Sequence, residues 1–339
     1  SIALTLLVQG AGSVARALAA DSRRTGAESA MPQTDAAAGA SRLRRPGPAV
    51  PDRELETRGG EAALYLPQLL GDHPLEARQM TWTNFSTGND VRDVAVDARR
   101  NVVWAATSGG ALRWDAGTGA HYLYTTSDGL ESADAYAVLI DHSGEVWIGG
   151  NDGISQLASN GKSWTRHGRQ AGLPAGEVVT SIAEDRSGSL WFATLYQGAL
   201  RLAADRQTWS RLSGREHPGL DGVRKIAVDG AGRVWFGTRE SGVVRLNPVD
   251  NTFDTVTMAD GLLANDVAAM AFDGAGNIWV GSYGGASRYS ASTGKWSTFT
   301  SARTAGLYGI ADIVVAVDGS TWFATGIIMQ VSRDLRSWI

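Results

Sequence analysis

The 339-residue chain contains no cysteine, which removes a disulfide framework and any thiolate metal site from consideration. It has no dominant charge either: 31 Lys and Arg stand against 35 Asp and Glu, a formal net charge of −4. With both signs interspersed, no basic face for nucleic acid stands out. Long apolar runs are missing too. The stretch Ile2-Ala3-Leu4-Thr5-Leu6-Leu7-Val8 is broken by Gln9 and Arg16 and is too short and polar for a stable membrane span. Histidine is scarce at 5 residues, which leaves little material for general base catalysis.

Glycine, by contrast, is abundant at 42 residues. Without a collagen period, that suits many tight turns between short strands. The N-terminal apolar run, followed by the small residues Ala17-Leu18-Ala19-Ala20, has the shape of a secretory signal without its basic start. Residues 1–20 are therefore read as a signal-peptide remnant, and the chain as an extracytoplasmic (periplasmic or secreted) bacterial protein. Residues 21–80 are rich in Ala, Gly, Pro and Arg, sustain no strand or helix period, and read as a largely disordered linker. Within it, Glu61-Ala62-Ala63-Leu64-Tyr65-Leu66 is a candidate for a short ordered piece.

From residue 81 to residue 339 the chain repeats. Trp104, Trp147, Trp191, Trp235, Trp279 and Trp322 follow one another at 43, 44, 44, 44 and 43 residues. Such a period marks an array of one supersecondary unit. Each unit parses into an apolar run ending in Asp, a turn that is Asp-x-x-Gly in four of six units, the Trp strand, and two further strands. The last strand carries an aromatic: Tyr122, Trp164, Trp209, Phe253, Trp296 or Trp338. Short Val-, Ile- and Trp-rich words separated by turn residues predict an all-β meander. Four antiparallel strands per unit predict a β-propeller of six visible repeats, either six-bladed or a truncated seven-bladed array. Trp82-Thr83-Asn84-Phe85, ahead of the first unit, reads as an outer strand lent to the last blade, and Arg336-Ser337-Trp338-Ile339 as a competing one.

Two of these words resemble the two-component regulator propeller repeat: Asp185-Arg186-Ser187-Gly188-Ser189-Leu190-Trp191-Phe192-Ala193-Thr194, and Asp273-Gly274-Ala275-Gly276-Asn277-Ile278-Trp279-Val280-Gly281. The linking phrases Ser127-Asp128-Gly129-Leu130 and Ala259-Asp260-Gly261-Leu262 are similar to that family's Asp-Gly-Leu. The likeness implies an extracytoplasmic, non-catalytic sensor module that binds a small molecule or glycan. Its implied protein partner is a histidine kinase system, or another protein if the propeller serves docking or assembly. It implies no cofactor, and the repeat carries structure rather than a catalytic residue.

The candidate site follows from where the repeats differ. Loops on a rigid scaffold usually carry binding, and three loops after Trp strands are unlike the rest. They are Leu195-Tyr196-Gln197-Gly198, Arg239-Glu240-Ser241-Gly242 and Tyr283-Gly284-Gly285. Tyr196, Gln197, Arg239, Glu240 and Tyr283 thus form the candidate ligand-binding set, by stacking and bidentate hydrogen bonding, with ordinary exposed loop residues as the plainer reading. The repeating tryptophans read as packing between blades and the repeated aspartates as turn caps, since one carboxylate per hairpin lacks the oxygen ligands calcium needs. No metal site is expected. A lyase of the streptogramin kind, which shares a propeller, would need a His on the loop face; only His217 beside Glu216 is placed for it.

Overall fold

The structure is a computed structural model and describes residues 2–4, 63–68, 81–85 and 90–335, the last span without 169–170, 175, 301–305, 308, 317, 326–327 and 332. Strands β1 (Ile2–Leu4), β2 (Ala63–Gln68) and β3 (Thr81–Phe85) form one three-stranded sheet. Six further sheets repeat along the chain as the blades of a β-propeller. Blade one comprises β4 (Val91–Asp97), β5 (Val102–Thr107), β6 (Gly110–Asp115) and β7 (His121–Tyr124). Blade two comprises β8 (Ala135–Ile140), β9 (Val146–Gly150), β10 (Gly153–Leu157) and β11 (Trp164–His167). In blade three, β12 (Val179–Glu184) leads to β13 (Leu190–Thr194), β14 (Gly198–Leu202) and β15 (Trp209–Leu212).

Blade four repeats this with β16 (Val223–Val228), β17 (Val234–Thr238), β18 (Val243–Asn247) and β19 (Thr252–Val256). Blade five has β20 (Ala269–Phe272), β21 (Ile278–Ser282), β22 (Gly285–Ser290) and β23 (Lys295–Thr300). Blade six shows β24 (Asp312–Val315), β25 (Thr321–Ala324) and β26 (Ile328–Val331) among the described residues. Within every blade, consecutive strands pair antiparallel, and the first strands of neighbouring blades lie side by side around the centre. No helix of the described residues is long and apolar enough to cross a membrane.

One strand departs from the sequence reading. Trp82 to Phe85 do not complete the last blade: β3 pairs with β2, from Leu64 opposite Phe85 to Gln68 opposite Thr81. A partner drawn from residues 63–68 satisfies its backbone, and an N–H and C=O row takes whichever strand is in reach. Strand β1 joins β2 in parallel and lies beside β4 and β25. The competing strand at 336–339 falls outside the described residues, as does most of 1–80.

Each blade is closed at one end by its aspartate. In Asp229, Oδ1 accepts the backbone N–H of Ala231 at 2.9 Å and of Arg233 at 3.0 Å, while Oδ2 accepts the Trp235 indole N–H at 2.9 Å. Asp141 and Asp185 repeat the pattern, taking Trp147 at 3.0 Å and Trp191 at 2.8 Å. With its one polar atom satisfied, the indole is free to be buried against the next blade. Trp104 packs with Val138 and Ile148, Trp147 with Ile182 and Phe192, Trp191 with Ile226 and Phe236, and Trp279 with Ile313 and Phe323. Each such burial stabilises by about 2–3 kcal/mol.

The linking phrase has an equally local cause. Asp128 accepts the Thr125 N–H at 2.8 Å, and Gly129, at φ +122°, lets the chain pass where a Cβ would stand 2.7 Å from the Trp164 Cβ. Leu130 then enters the core between blades one and two. Asp260, Gly261 and Leu262 do the same three blades later, between blades four and five and against Trp296.

The turn aspartates make stability depend on pH. Burial acts to raise the carboxyls of Asp141 and Asp229, but the hydrogen bonds they accept outweigh it and hold both below the ordinary aspartate range. A depressed folded pKa contributes stability above the unfolded value and loses it as pH falls through the folded one. The protein should therefore lose stability progressively below about pH 4. Replacing Asp229 with Ala should cost about 2–3 kcal/mol, measured by chemical denaturation at neutral pH. A loss below about 0.5 kcal/mol, the range of neutral surface changes, would contradict this role.

Candidate functional site

Strand direction assigns the two ends of the propeller. First strands run toward the Asp turns, so the Asp turns and the turns between third and fourth strands share one face, here the turn face. The loops after the Trp strands and the inter-blade connections share the other, the loop face. At the loop-face end, four inner strands carry a bulge, between Val91 and Asp93, Ala135 and Ala137, Val179 and Ser181, and Val223 and Lys225. The extra residues are Arg92, Tyr136, Thr180 and Arg224. Bulges re-aim side chains, and here they assemble a polar rim.

Arg92 lies over the Tyr136 ring at 3.9 Å and pairs with Asp134 at 2.6 Å, which also accepts the Tyr136 hydroxyl at 3.1 Å and the Asn151 amide at 3.0 Å. Arg224 pairs with Asp266. One residue further in, Lys225 Nζ reaches Asp312 Oδ1 at 2.7 Å, past blade five, where the residue in register is Ala269. Both charges line a central cavity of about 230 Å³. None of these residues stood out in the sequence. Their signal was a polar residue recurring at the start of the inner strand, just ahead of the apolar run.

The sequence-predicted residues fall on consecutive loop-face turns of blades three, four and five. Tyr196 and Tyr283 are 57% and 75% exposed, and Arg239 and Glu240 are exposed between them. Gln197 is set apart: its Oε1 accepts from Arg211 Nη1 at 3.0 Å, within blade three. Beneath Tyr196 lies a residue the sequence did not mark. Glu177 is buried in the connection into blade three, and its Oε1 accepts the Tyr196 backbone N–H at 2.8 Å.

Burial pushes the Glu177 carboxyl up, against the pull of hydrogen bonds from Tyr196, Thr194 and Gln197 and of the Arg211 charge. A raised folded pKa gives stability that is full below the unfolded value and is lost as pH rises through the folded one. Glu177→Gln should therefore gain on the wild type as pH rises from about 4.5, read as the difference in melting temperature across pH. A difference that is flat with pH would refute the assignment.

The residues suited to catalysis are engaged separately. Glu216 turns back to accept the Ser213 N–H at 2.8 Å and its hydroxyl at 2.6 Å, whereas the His217 ring packs on Phe253 at 4.9 Å. His121 and His167 belong to outer strands, and His167 stacks on Trp147. His142 is on the turn face, where it pairs with Glu184. His73 lies outside the described residues. Among the described residues no three His, Asp or Glu side chains are grouped to hold a metal ion.

Comparison with known proteins matches this geometry to a family. The family model described as two component regulator propeller matches residues 172–196 and 261–284. Both stretches run from a Gly-Leu link through inner strand, Asp turn and Trp strand to the loop-face turn. No curated protein sequence matches the chain. The extracellular domain of a one-component system from B. thetaiotaomicron is similar in structure, with a TM-score of 0.58 at 16% identity, over 70% of this chain and 32% of that one. The chain thus spans about a third of that relative's length. Virginiamycin B lyase from Staphylococcus aureus also has a TM-score of 0.58, at 15% identity over 73% of this chain and 82% of its own. PorZ, a surface component of the type-IX secretion system of Porphyromonas gingivalis, has 0.52 at 19% identity, over 75% and 40%. At such identities the shared property is the fold, and the family model adds that two stretches of this propeller, 172–196 and 261–284, match the two component regulator propeller repeat.

Proposed function

We propose that the chain is the sensing propeller of a signalling receptor, placed outside the cytoplasm, which binds a small polar molecule or glycan on its loop face without transforming it. The observation that carries this reading is the pair of exposed tyrosines, Tyr196 and Tyr283, flanking Arg239 and Glu240 on three consecutive loops. Aromatic faces beside a fork of donors and a carboxylate suit a polyhydroxylated ligand. The family model and the likeness to an extracellular receptor domain support the sensing role and the location. Binding rather than lyase chemistry is favoured because Glu216 and His217 are spent on a turn and on Phe253. The partner on this reading is a histidine kinase system that receives the bound state.

The test is a thermal-shift screen of the full chain against glycans and small metabolites. At least one should raise the melting temperature, and Tyr196→Ala or Arg239→Ala should weaken its binding about tenfold, the loss of one stacking or charge-assisted contact. Stabilisation that survives both substitutions would move the site off this face. Silence across the panel, with capture of a folded protein partner through the same tyrosines, would turn the reading to docking.

A further inference from the structure

The turns after the third strands carry a residue with positive φ in each blade: Gly119, Gly161, Arg206, Asn251, Gly294 and Leu335, at +75°, +70°, +58°, +56°, +67° and +61° among the described residues. In blade three this residue has a task. Arg206 reaches back to blade two, places its guanidinium 5.7 Å from the centre of the Trp147 ring, and pairs with Asp141 at 2.8 Å. It fills the slot between the two blades on the turn face. Between blades one and two the equivalent residue is Gly161, which has no side chain to send. A cleft of about 180 Å³ remains there, bordered by Trp104, Tyr124, Arg113, Arg100, Asp97 and Gly161.

The charges in this cleft are unbalanced. Arg113 stands opposite Trp104 on the neighbouring strand. The residues at the same register in the next four blades all have side-chain partners. Gln156 bonds Glu145 and Arg201 bonds Ser189, while Arg245 bonds Asp254 and Arg288 pairs with Asp273. Among the described residues Arg113 makes no hydrogen bond or ion pair, and its charge acts on half-buried Asp115. Arg100 offsets Asp97 at 2.7 Å and reaches the carbonyls of Gly144 and Ser159 at 3.3 Å. One guanidinium is therefore left over, in a partly enclosed space walled by two aromatic rings.

We propose that the cleft between blades one and two is an anion-binding site, taking a small organic acid or phosphate ester. The carboxylate or phosphate pairs with Arg113, as guanidinium forks match such groups, and the body of the molecule lies in the cleft beside half-buried Tyr124. The site is on the face opposite Tyr196 and Tyr283, and its success or failure is separate from the sensing role proposed above.

Calorimetric titration of the full chain at low salt tests it, with glucuronate and glucose 1-phosphate as probes and glucose as the neutral control. Saturable binding of at least one acid is expected, and which of the two binds identifies the anionic group. Arg113→Gln should weaken that binding about tenfold or more. Gly161→Leu should abolish it by refilling the slot without adding charge. Both substitutions use residues this protein already places at the same register, Gln156 in blade two and Leu335 in blade six, and circular dichroism checks that they fold. If one variant does not fold, the other decides. Tyr196→Ala should leave the affinity unchanged. Failure of both acids to bind, equal binding of glucose, or affinity retained in a folded Arg113→Gln or Gly161→Leu variant would overturn the proposal.

Discussion

The turn aspartate that closes each hairpin, and in blades two, three and four also accepts the indole six residues on, is the constraint on which this propeller depends. One oxygen closes the hairpin through two backbone N–H groups, and the other accepts the indole. A buried indole without a partner would carry an unsatisfied donor, at a cost of about 1–3 kcal/mol. The bond therefore couples two events that seem separate, the closing of a turn and the packing of one blade on the next. Where a blade departs from the pattern, the turn is held by other means. In blade six the Trp322 indole goes to Ser320 Oγ at 3.2 Å, which in turn donates to Asp318 at 2.6 Å. In blade one Asp97 Oδ2 takes Arg100 instead, and in blade five Asp273 takes the Asn277 amide.

Fixing each blade in this way frees the two faces. The loop-face turns end on glycines that cannot be exchanged: at Gly242, with φ +75°, a Cβ would stand 2.2 Å from the Val256 carbonyl oxygen. Between that glycine and the end of the Trp strand lie only a few residues, and nothing in the core specifies them. Tyr196, Arg239, Glu240 and Tyr283 occupy that unconstrained interval. Glu177 shows how such a loop can still be held, because a buried carboxylate receives its backbone while the side chain stays in solvent.

How much of this was legible in the sequence follows from range. Strand words, turn aspartates and the tryptophan packing are local and recur from unit to unit, so spacing exposed them, and the Gly-Leu links stood out through the family resemblance. The Asp–Trp bond was half legible: both residues were marked, as cap and as core, but the contact between them needs the hairpin's geometry. Glu177 went unmarked in the sequence, since its burial comes from elements either side of it in space. His217 and Glu216 are adjacent in the chain, yet local turn capping and the Phe253 ring separate them. The partner of β3 was misread because residues 63–68 show no repeat that would announce a strand.

Differences between blades carry information only once the register is known. Lys225 and Asp312 occupy one inner-strand position in blades four and six, and Ala269 occupies it in blade five. A nearly buried ion pair at best breaks even against apolar residues of the same size, so stability alone is a poor reason for it. Its geometry offers a better one. The pair skips a blade, closing to 2.7 Å past the small Ala269 at the same register of blade five. It ties blades that share no direct sheet contact, at the end of the cavity nearest the loops. Contacts between neighbouring blades set local angles, whereas a bond across a blade is sensitive to their sum.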